Sequence, residues 1–205
     1  KKYPHIKIAL GGYHATLMSK EIADSPDSAY FDLIFRGESE FSFNEAVNIL
    51  EEGGDLKTVN GLSFKKNGTF IHNKKRELED LEKIKLPDRN VSLWNHFSVM
   101  KAPIAMMEYS RGCLMNCNFC NIRKMYGKSY RTYRTERVMK DLENAKKSGA
   151  RIMFLADDNI TMDAAKFEHL CDEIIRNGHN DLFYCVQASS SRVSSSKKLV
   201  EKMAR

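Results

Sequence analysis

At 205 residues the chain has room for one domain or two small ones. A hydrophobic share of 42% and a charged share of 29% are ordinary for a globular chain, and no apolar run is long enough to read as a membrane span. The formal charge of +6 is compatible with an anionic ligand, but dispersed lysines read as a solvated face rather than a nucleic-acid surface.

Ile6, Ile8 and Leu10 alternate and predict a strand over residues 5–10, with no signal peptide ahead of it. Gly11-Gly12 follow at once, then Tyr13-His14-Ala15-Thr16. A glycine pair at the carboxyl end of a parallel strand lets a ligand approach the backbone, although glycine pairs also simply make turns. A second strand is predicted over 30–35, ending in Arg36-Gly37-Glu38. Phe43, Ala46, Val47 and Leu50 form a helical stripe, with Ser39 as its N-cap and Gly53-Gly54 as its stop. Residues 60–73 read as a hairpin turning at Asn67-Gly68. The span 53–101 is taken as a connection that carries packing rather than chemistry. Its Trp94 and Phe97, with Tyr109, are read as covering or core aromatics rather than the walls of a pocket.

From Pro103 a mostly buried strand of the parallel kind is expected. The segment Ser110-Arg111-Gly112 then leads into three cysteines. After them the basic, aromatic run Arg123–Arg131 reads as a solvated cover rather than a nucleic-acid contact. Thr135 is placed to cap a helix bearing Val138, Leu142 and Ala145, closed by Gly149. A strand over 151–156 ends in Asp157-Asp158-Asn159. A helix with Phe167, Leu170, Cys171, Ile174 and Ile175 follows, then a strand over 182–187, then Ala188–Arg192. A last helix from Ser196 carries Leu199, Val200 and Met203. This β-α-β-α-β-α order predicts a parallel sheet with functional loops at the strand carboxyl ends.

Cys113, Cys117 and Cys120 stand in the spacing C-x3-C-x2-C. Three thiolates in one loop can wrap an inorganic core, and four-cysteine frames are the usual holders of iron–sulfur clusters. Three on a cubane of four irons leave one iron open, as catalytic metal sites do. Zinc is the competing reading, but all six histidines lie far from the loop in sequence. A disulfide would need an oxidising compartment. The remaining two of the five cysteines, Cys171 and Cys185, sit in apolar patterns and are expected to be buried small hydrophobes, as in a cytoplasmic protein.

The loop, with aromatic Phe119 just before its last cysteine, resembles the cluster loop of the radical S-adenosylmethionine superfamily. In that family the open iron binds the amino and carboxylate groups of the methionine part of S-adenosylmethionine. An electron from the cluster cleaves the sulfonium and releases a 5′-deoxyadenosyl radical. The resemblance implies cluster ligation by Cys113, Cys117 and Cys120 and S-adenosylmethionine contacts from Phe119, Asp157, Asp158 and Asn159. The acidic turn stands where the family often has Gly-Gly-Glu, which receives the methionine ammonium. Members with an attached cobalamin domain commonly carry an Asp-Asn turn there. The alternative for Asp157 or Asp158 is to cap the next helix, for which Thr161 or Asp163 is better placed. Gln187 and Arg192 are candidates for S-adenosylmethionine or substrate on topology alone.

The stretch KIALGGYHAT, then FDLIFRGESEF, then a helix, resembles the second half of the cobalamin-binding domain found ahead of many such cores. That resemblance implies cobalamin contacts at Gly11, Gly12, His14, Gly37 and Glu38. The upstream half and any Asp-x-His-x-x-Gly motif are absent. The expected architecture is α/β. Residues 1–52 form the C-terminal half of a Rossmann-like cobalamin-binding domain, and 53–101 a linker with a β-hairpin. Residues 102–205 form the first β/α units of a radical S-adenosylmethionine partial TIM barrel. The chain is expected to be an internal piece of a larger enzyme.

The expected activity is reductive cleavage of S-adenosylmethionine at a 4Fe-4S cluster by a cobalamin-dependent enzyme, for methyl transfer or radical ring or C–C bond chemistry. One alternative is a radical methylthiotransferase on tRNA or protein, against which stands the lack of any cysteine before Cys113. The other is a non-catalytic module that binds cobalamin or a cluster. Expected partners are a small-molecule substrate and an electron donor such as flavodoxin or ferredoxin, with no nucleic acid.

Overall fold

The computed structural model describes Tyr3 and residues 5–89, 98–99 and 101–205. Trp94 and Phe97 lie outside the described residues. The chain divides into two compact units, Lys1–Glu79 with Lys124–Tyr126, and Asp80–Arg123 with Gly127–Arg205.

The first unit is built on a sheet of β1 (Ala9–Leu10), β2 (Leu33–Phe35), β3 (Leu62–Lys66) and β4 (Thr69–His72), in that order. β1 and β2 are parallel, so the chain must cross over between them, and α1 (Gly12–Leu17) and α2 (Ser19–Asp24) make the crossing. The other pairs are antiparallel, with Leu33 opposite Phe64 and Phe64 opposite Ile71. The hairpin expected within a connecting segment is therefore half of this sheet. Its turn holds Asn67 at φ 51° and Gly68 at φ 83°, the left-handed pair that a tight hairpin needs. Leu33 and Phe35 face a core with Ala46, Val59, Leu62 and Phe64. Ile34 faces the other way, onto Ala15 and Phe31. Burial on both faces is why Leu33-Ile34-Phe35 is an unbroken apolar run.

α3 (Glu40–Glu52) stops at Gly53, whose φ of 74° is left-handed. Its buried residues are Ser42 and Ala46, with Ile49 packed against the core. Phe43 and Leu50, expected on the buried stripe, are 53% and 39% exposed. The helix turns Ser42 and Ala46 inward, and Phe43 lies at the core's edge with its ring 5.4 Å from that of Phe35.

The second unit contains β5 (Ser98–Val99), β6 (Ala102–Met107), β7 (Ser110–Arg111), α4 (Ile122–Tyr126, which the division cuts after Arg123), β8 (Arg131–Thr132), α5 (Thr135–Lys147), β9 (Ile152–Leu155), α6 (Ala164–Arg176), β10 (Phe183–Val186), α7 (Ser190–Ser194) and α8 (Lys197–Met203). Its main sheet runs β10-β9-β6-β5, with β6, β9 and β10 parallel. α5 and α6 are the crossovers. Val138, Leu142, Ala145, Phe167, Leu170 and Leu199 pack with Met107, Met153 and Leu155 in one core.

Among the described residues the opposite sheet face is left largely open. Met106 pairs with Phe154 and Phe154 with Cys185 across the ladder, and Met106 is 61% exposed. Cys185 is exposed too, which corrects its reading as a buried hydrophobe; Cys171 is buried as expected. In β10 the side chains that pack against the helical core are Tyr184 and Val186, so alternation turns Cys185 outward.

Asp163 caps α6 by accepting from the Lys166 N–H, and Ser196 caps α8 by accepting from the Leu199 N–H. Thr135 is the first residue of α5 rather than its cap. The cap position is Arg134, whose N–H donates to Glu82 Oε1 at 2.7 Å. Among the described residues no helix is long and apolar enough to cross a membrane.

Asp80–Arg89 lies along this unit. Leu81 is buried in its core, and Arg137 donates to the Ile84 carbonyl. Arg89 donates to both carboxylate oxygens of Asp141, at 2.9 and 3.0 Å, and to the Met106 carbonyl at 2.9 Å. The Asp141 side chain is 5% exposed. Arg89→Ala should therefore cost about 3–5 kcal/mol in urea unfolding, because it strands a buried carboxylate. Adding Asp141→Leu should recover part of that loss; an equal loss in the double variant would show that packing, not charge, is at stake.

Candidate functional site

The site grows from the carboxyl ends of β6, β9 and β10. β6 runs through Tyr109 into β7, which pairs with β8 as Ser110 opposite Thr132 and Arg111 opposite Arg131. Gly112 then turns the chain into the cysteine loop at φ +90°, where a Cβ would stand 2.4 Å from the Ser129 carbonyl oxygen. No other residue fits there.

The acidic turn after β9 braces this entry. Asp158 Oδ2 accepts from the Gly112 N–H at 2.8 Å. Asp157 Oδ2 accepts from the Tyr109 N–H at 3.3 Å, and its Oδ1 accepts from the Ser110 hydroxyl. Asp157 has no exposed surface. Burial pushes its carboxyl up to about 6, outweighing the Ser110 and backbone donors that pull it down. Asp157, expected at S-adenosylmethionine, has its carboxylate buried behind the loop it holds. Neither Asp157 nor Asp158 caps a helix, because Asp163 does so.

Asn159 is turned toward the cysteines. Its Nδ2 donates to Cys113 Sγ at 3.9 Å, and its Oδ1 accepts from the Thr161 hydroxyl at 2.8 Å. The Thr161 oxygen in turn accepts from the Ser189 N–H at 3.0 Å. Met162 Sδ lies 3.7 Å from Cys113 Sγ and accepts from the Leu114 N–H at 3.2 Å. The loop's far end is a turn in which the Cys120 N–H donates to the Cys117 carbonyl at 3.1 Å.

Cys113, Cys117 and Cys120 all line one cleft of about 760 Å³. Phe119, Asp158, Asn159, Gln187 and Ser189 share its walls. Phe119 is 90% exposed. Arg192 lies in α7, whose start at Ser190 is on the cleft wall, but is not itself among the lining residues. Among the described residues no three His, Cys, Asp or Glu side chains gather closely enough for a single metal ion.

In the first unit, Gly11, Gly12 and His14 are exposed, and Gly37 and Glu38 are partly so. Thr16 joins the two turns. Its hydroxyl donates to the Gly12 carbonyl at 2.8 Å and accepts from the Gly37 N–H at 3.0 Å. Both turns thus lie at the carboxyl edge of the parallel pair β1–β2. Gly12 and Gly37 have φ of +84° and +82°, which favour glycine by themselves. Gly11 does not: its φ is −151°, and a Cβ there would meet nothing within 4 Å. Sequence reasoning missed Ser110, Thr16, Thr161 and Met162, whose roles rest on contacts made only after the strands pair.

Residues 107–205 match the model of the radical SAM superfamily. An uncharacterized methyltransferase of Pyrococcus horikoshii is 30% identical over 139 residues, which is 67% of this chain and 30% of that protein. The hopanoid C-3 methylase of Methylococcus capsulatus is 28% identical over 187 residues, 89% of this chain and 34% of the methylase. The solved structure of the radical S-adenosylmethionine methyltransferase TsrM from Kitasatospora setae, with cobalamin and a 4Fe-4S cluster bound, superposes with a TM-score of 0.75 at 16% identity. That superposition covers 97% of this chain and 40% of TsrM. The chain therefore spans about a third of the curated relatives it matches.

Proposed function

Since residues 107–205 belong to the radical SAM superfamily, we propose that the protein carrying this chain is a cobalamin-dependent enzyme that cleaves S-adenosylmethionine reductively. A 4Fe-4S cluster held by Cys113, Cys117 and Cys120 would supply the electron for that cleavage, and cobalamin the methyl-carrying or radical-steering metal. The observation that carries the reading is the cleft. It brings three thiols, an exposed aromatic ring and the polar ends of two more strands around one space.

This chain's own residues have separable tasks. Asp157 and Asp158 hold the entry to the cysteine loop by its backbone N–H groups and by Ser110. Phe119 offers a ring face for stacking an adenine. Asp158 and Gln187, on the cleft wall, are the polar groups placed to receive the charged end of S-adenosylmethionine. The acceptor is a small molecule, modified by methyl transfer or by radical ring or C–C bond chemistry. A flavodoxin- or ferredoxin-type protein delivers the electron in the cytoplasm. The test is 5′-deoxyadenosine or S-adenosylhomocysteine release by the intact, anaerobically reconstituted protein given S-adenosylmethionine and a reductant. Neither product would mean a binding module instead.

Cobalamin is assigned to the first unit because the Gly-Gly turn is open at the carboxyl end of β1. Gly11 is the N-cap of α1, its backbone is ordinary, and a Cβ there would meet nothing within 4 Å. A turn so bare on its outer side leaves room for a large ligand to lie against the backbone. Gly11→Val in the intact protein should lose most of its cobalamin on gel filtration while keeping its iron. Gly11 is a cleaner probe than Gly12, since valine at Gly12 would also strain the backbone. Equal cobalamin in Gly11→Val and wild type would remove the site from this turn.

A further inference from the structure

We propose that Thr161 is a positioning residue that raises the reduction potential of the cluster, by fixing the Asn159 amide with its N–H toward Cys113 Sγ. This rests on the assignment of a cluster to the three cysteines. A primary amide has a donor end and an acceptor end of nearly the same shape, so the surroundings decide which one faces the thiolate. Here the decision starts from a group that can only donate. The Ser189 backbone N–H points at Thr161 Oγ1 at 3.0 Å, so the hydroxyl must accept there. Its own hydrogen then has Asn159 Oδ1 as partner at 2.8 Å. That leaves the NH2 group for Cys113 Sγ. Thr161 is fully buried and Asn159 is 7% exposed, so water does not compete for these groups.

The other neighbour of Cys113 cannot do this work. Met162 Sδ has no hydrogen to give and already accepts from the Leu114 N–H. An N–H···S bond favours the state with more charge on sulfur, which is the reduced one. Hydrogen bonds to the sulfurs are among the main controls of cluster potential. With the relay cut, the amide can turn its oxygen to the thiolate, and adding one electron becomes harder. At a fixed potential the reduced-to-oxidised ratio should fall about tenfold, equal to about 59 mV for one electron.

The experiment is a potentiometric titration of the intact, reconstituted protein with an external one-electron reductant, followed by electron paramagnetic resonance of the reduced cluster. Iron per chain is measured first. Thr161→Val keeps shape and removes the relay; it should hold wild-type iron and show the lowered potential. Asn159→Leu should show the same shift, and Thr161→Ser, which restores the hydroxyl, should match wild type. A Thr161→Val protein with full iron and the wild-type potential would overturn the proposal and leave the cluster assignment standing. So would a Thr161→Val protein unable to hold iron, because the hydroxyl would then be structural. If Asn159→Leu alone loses iron, the comparison of Val with Ser at 161 decides by the same criterion. A wild-type protein that takes up no iron would overturn the cluster assignment and this inference together.

Discussion

Replacing any one of Cys113, Cys117 or Cys120 by Ala should take the anaerobically reconstituted, intact protein from about four irons per chain to near zero. The visible absorbance of the cluster should vanish with the iron. The effect is all-or-none because the frame has only three thiols. Asp158 stands on the same cleft wall, but its Oδ2 already accepts from the Gly112 N–H. A cluster with two protein thiolates and two open irons would be stripped by water and free thiols. Cys171→Ala and Cys185→Ala should keep their iron. Cys171 is buried in the helical core, and Cys185 is out on the sheet face; neither lines the cleft. One zinc per chain after growth in mixed metals, with no uptake of iron, would refute the cluster.

Gly112→Ala should be the most damaging glycine substitution in the chain. The cost has two parts. A left-handed φ of +90° is unfavourable for alanine by about 1–2 kcal/mol. The new Cβ would also stand 2.4 Å from the Ser129 carbonyl oxygen, a backbone atom two residues ahead of β8 rather than the free end of a side chain. Together these should exceed about 3 kcal/mol in urea unfolding. Gly149→Ala is the control. Its φ of +93° is similar, but a Cβ there has nothing within 4 Å. That variant should lose about 1–2 kcal/mol and no iron. The Gly112 variant should lose iron as well, because Gly112 N–H is the group that Asp158 grips beside Cys113. Similar losses in the two variants would mean that the Ser129 backbone yields easily.

What was legible in the sequence was whatever lies within a few residues along the chain. The cysteine spacing, the Asn67-Gly68 turn and the Val138, Leu142, Ala145 stripe are local patterns, and each stands in the structure where its spacing puts it. The element order of the second unit followed from the same periodicities. What could not be read depends on how distant strands align. The parallel register Met107 to Leu155 brings Asp157 level with Tyr109 and Ser110, which makes it a brace of the loop entry. The pattern of Cys185 is as apolar as that of Cys171; only its sheet face separates them. Phe43 and Leu50 matched the helical period, but the helix turns Ser42 and Ala46 inward instead. Thr161 reads in the sequence only as a helix-cap candidate; its bond to Asn159 has meaning only once Ser189 arrives beside it from the next strand end.

The segment Asp80–Arg89 also decides where the gene can be cut. A dissection guided by strand pattern would begin the second unit at residue 102, with β6. That piece would lack Leu81, leaving a gap in the core, and would lack Arg89, leaving Asp141 buried and alone. Arg134 N–H would lose Glu82, and Arg137 the Ile84 carbonyl. The shortest autonomous version of the unit should therefore start at or before Asp80. Protease nicking between 90 and 100 should leave its two products held together through denaturant-free gel filtration, because the staple lies upstream of the cut and its partners downstream.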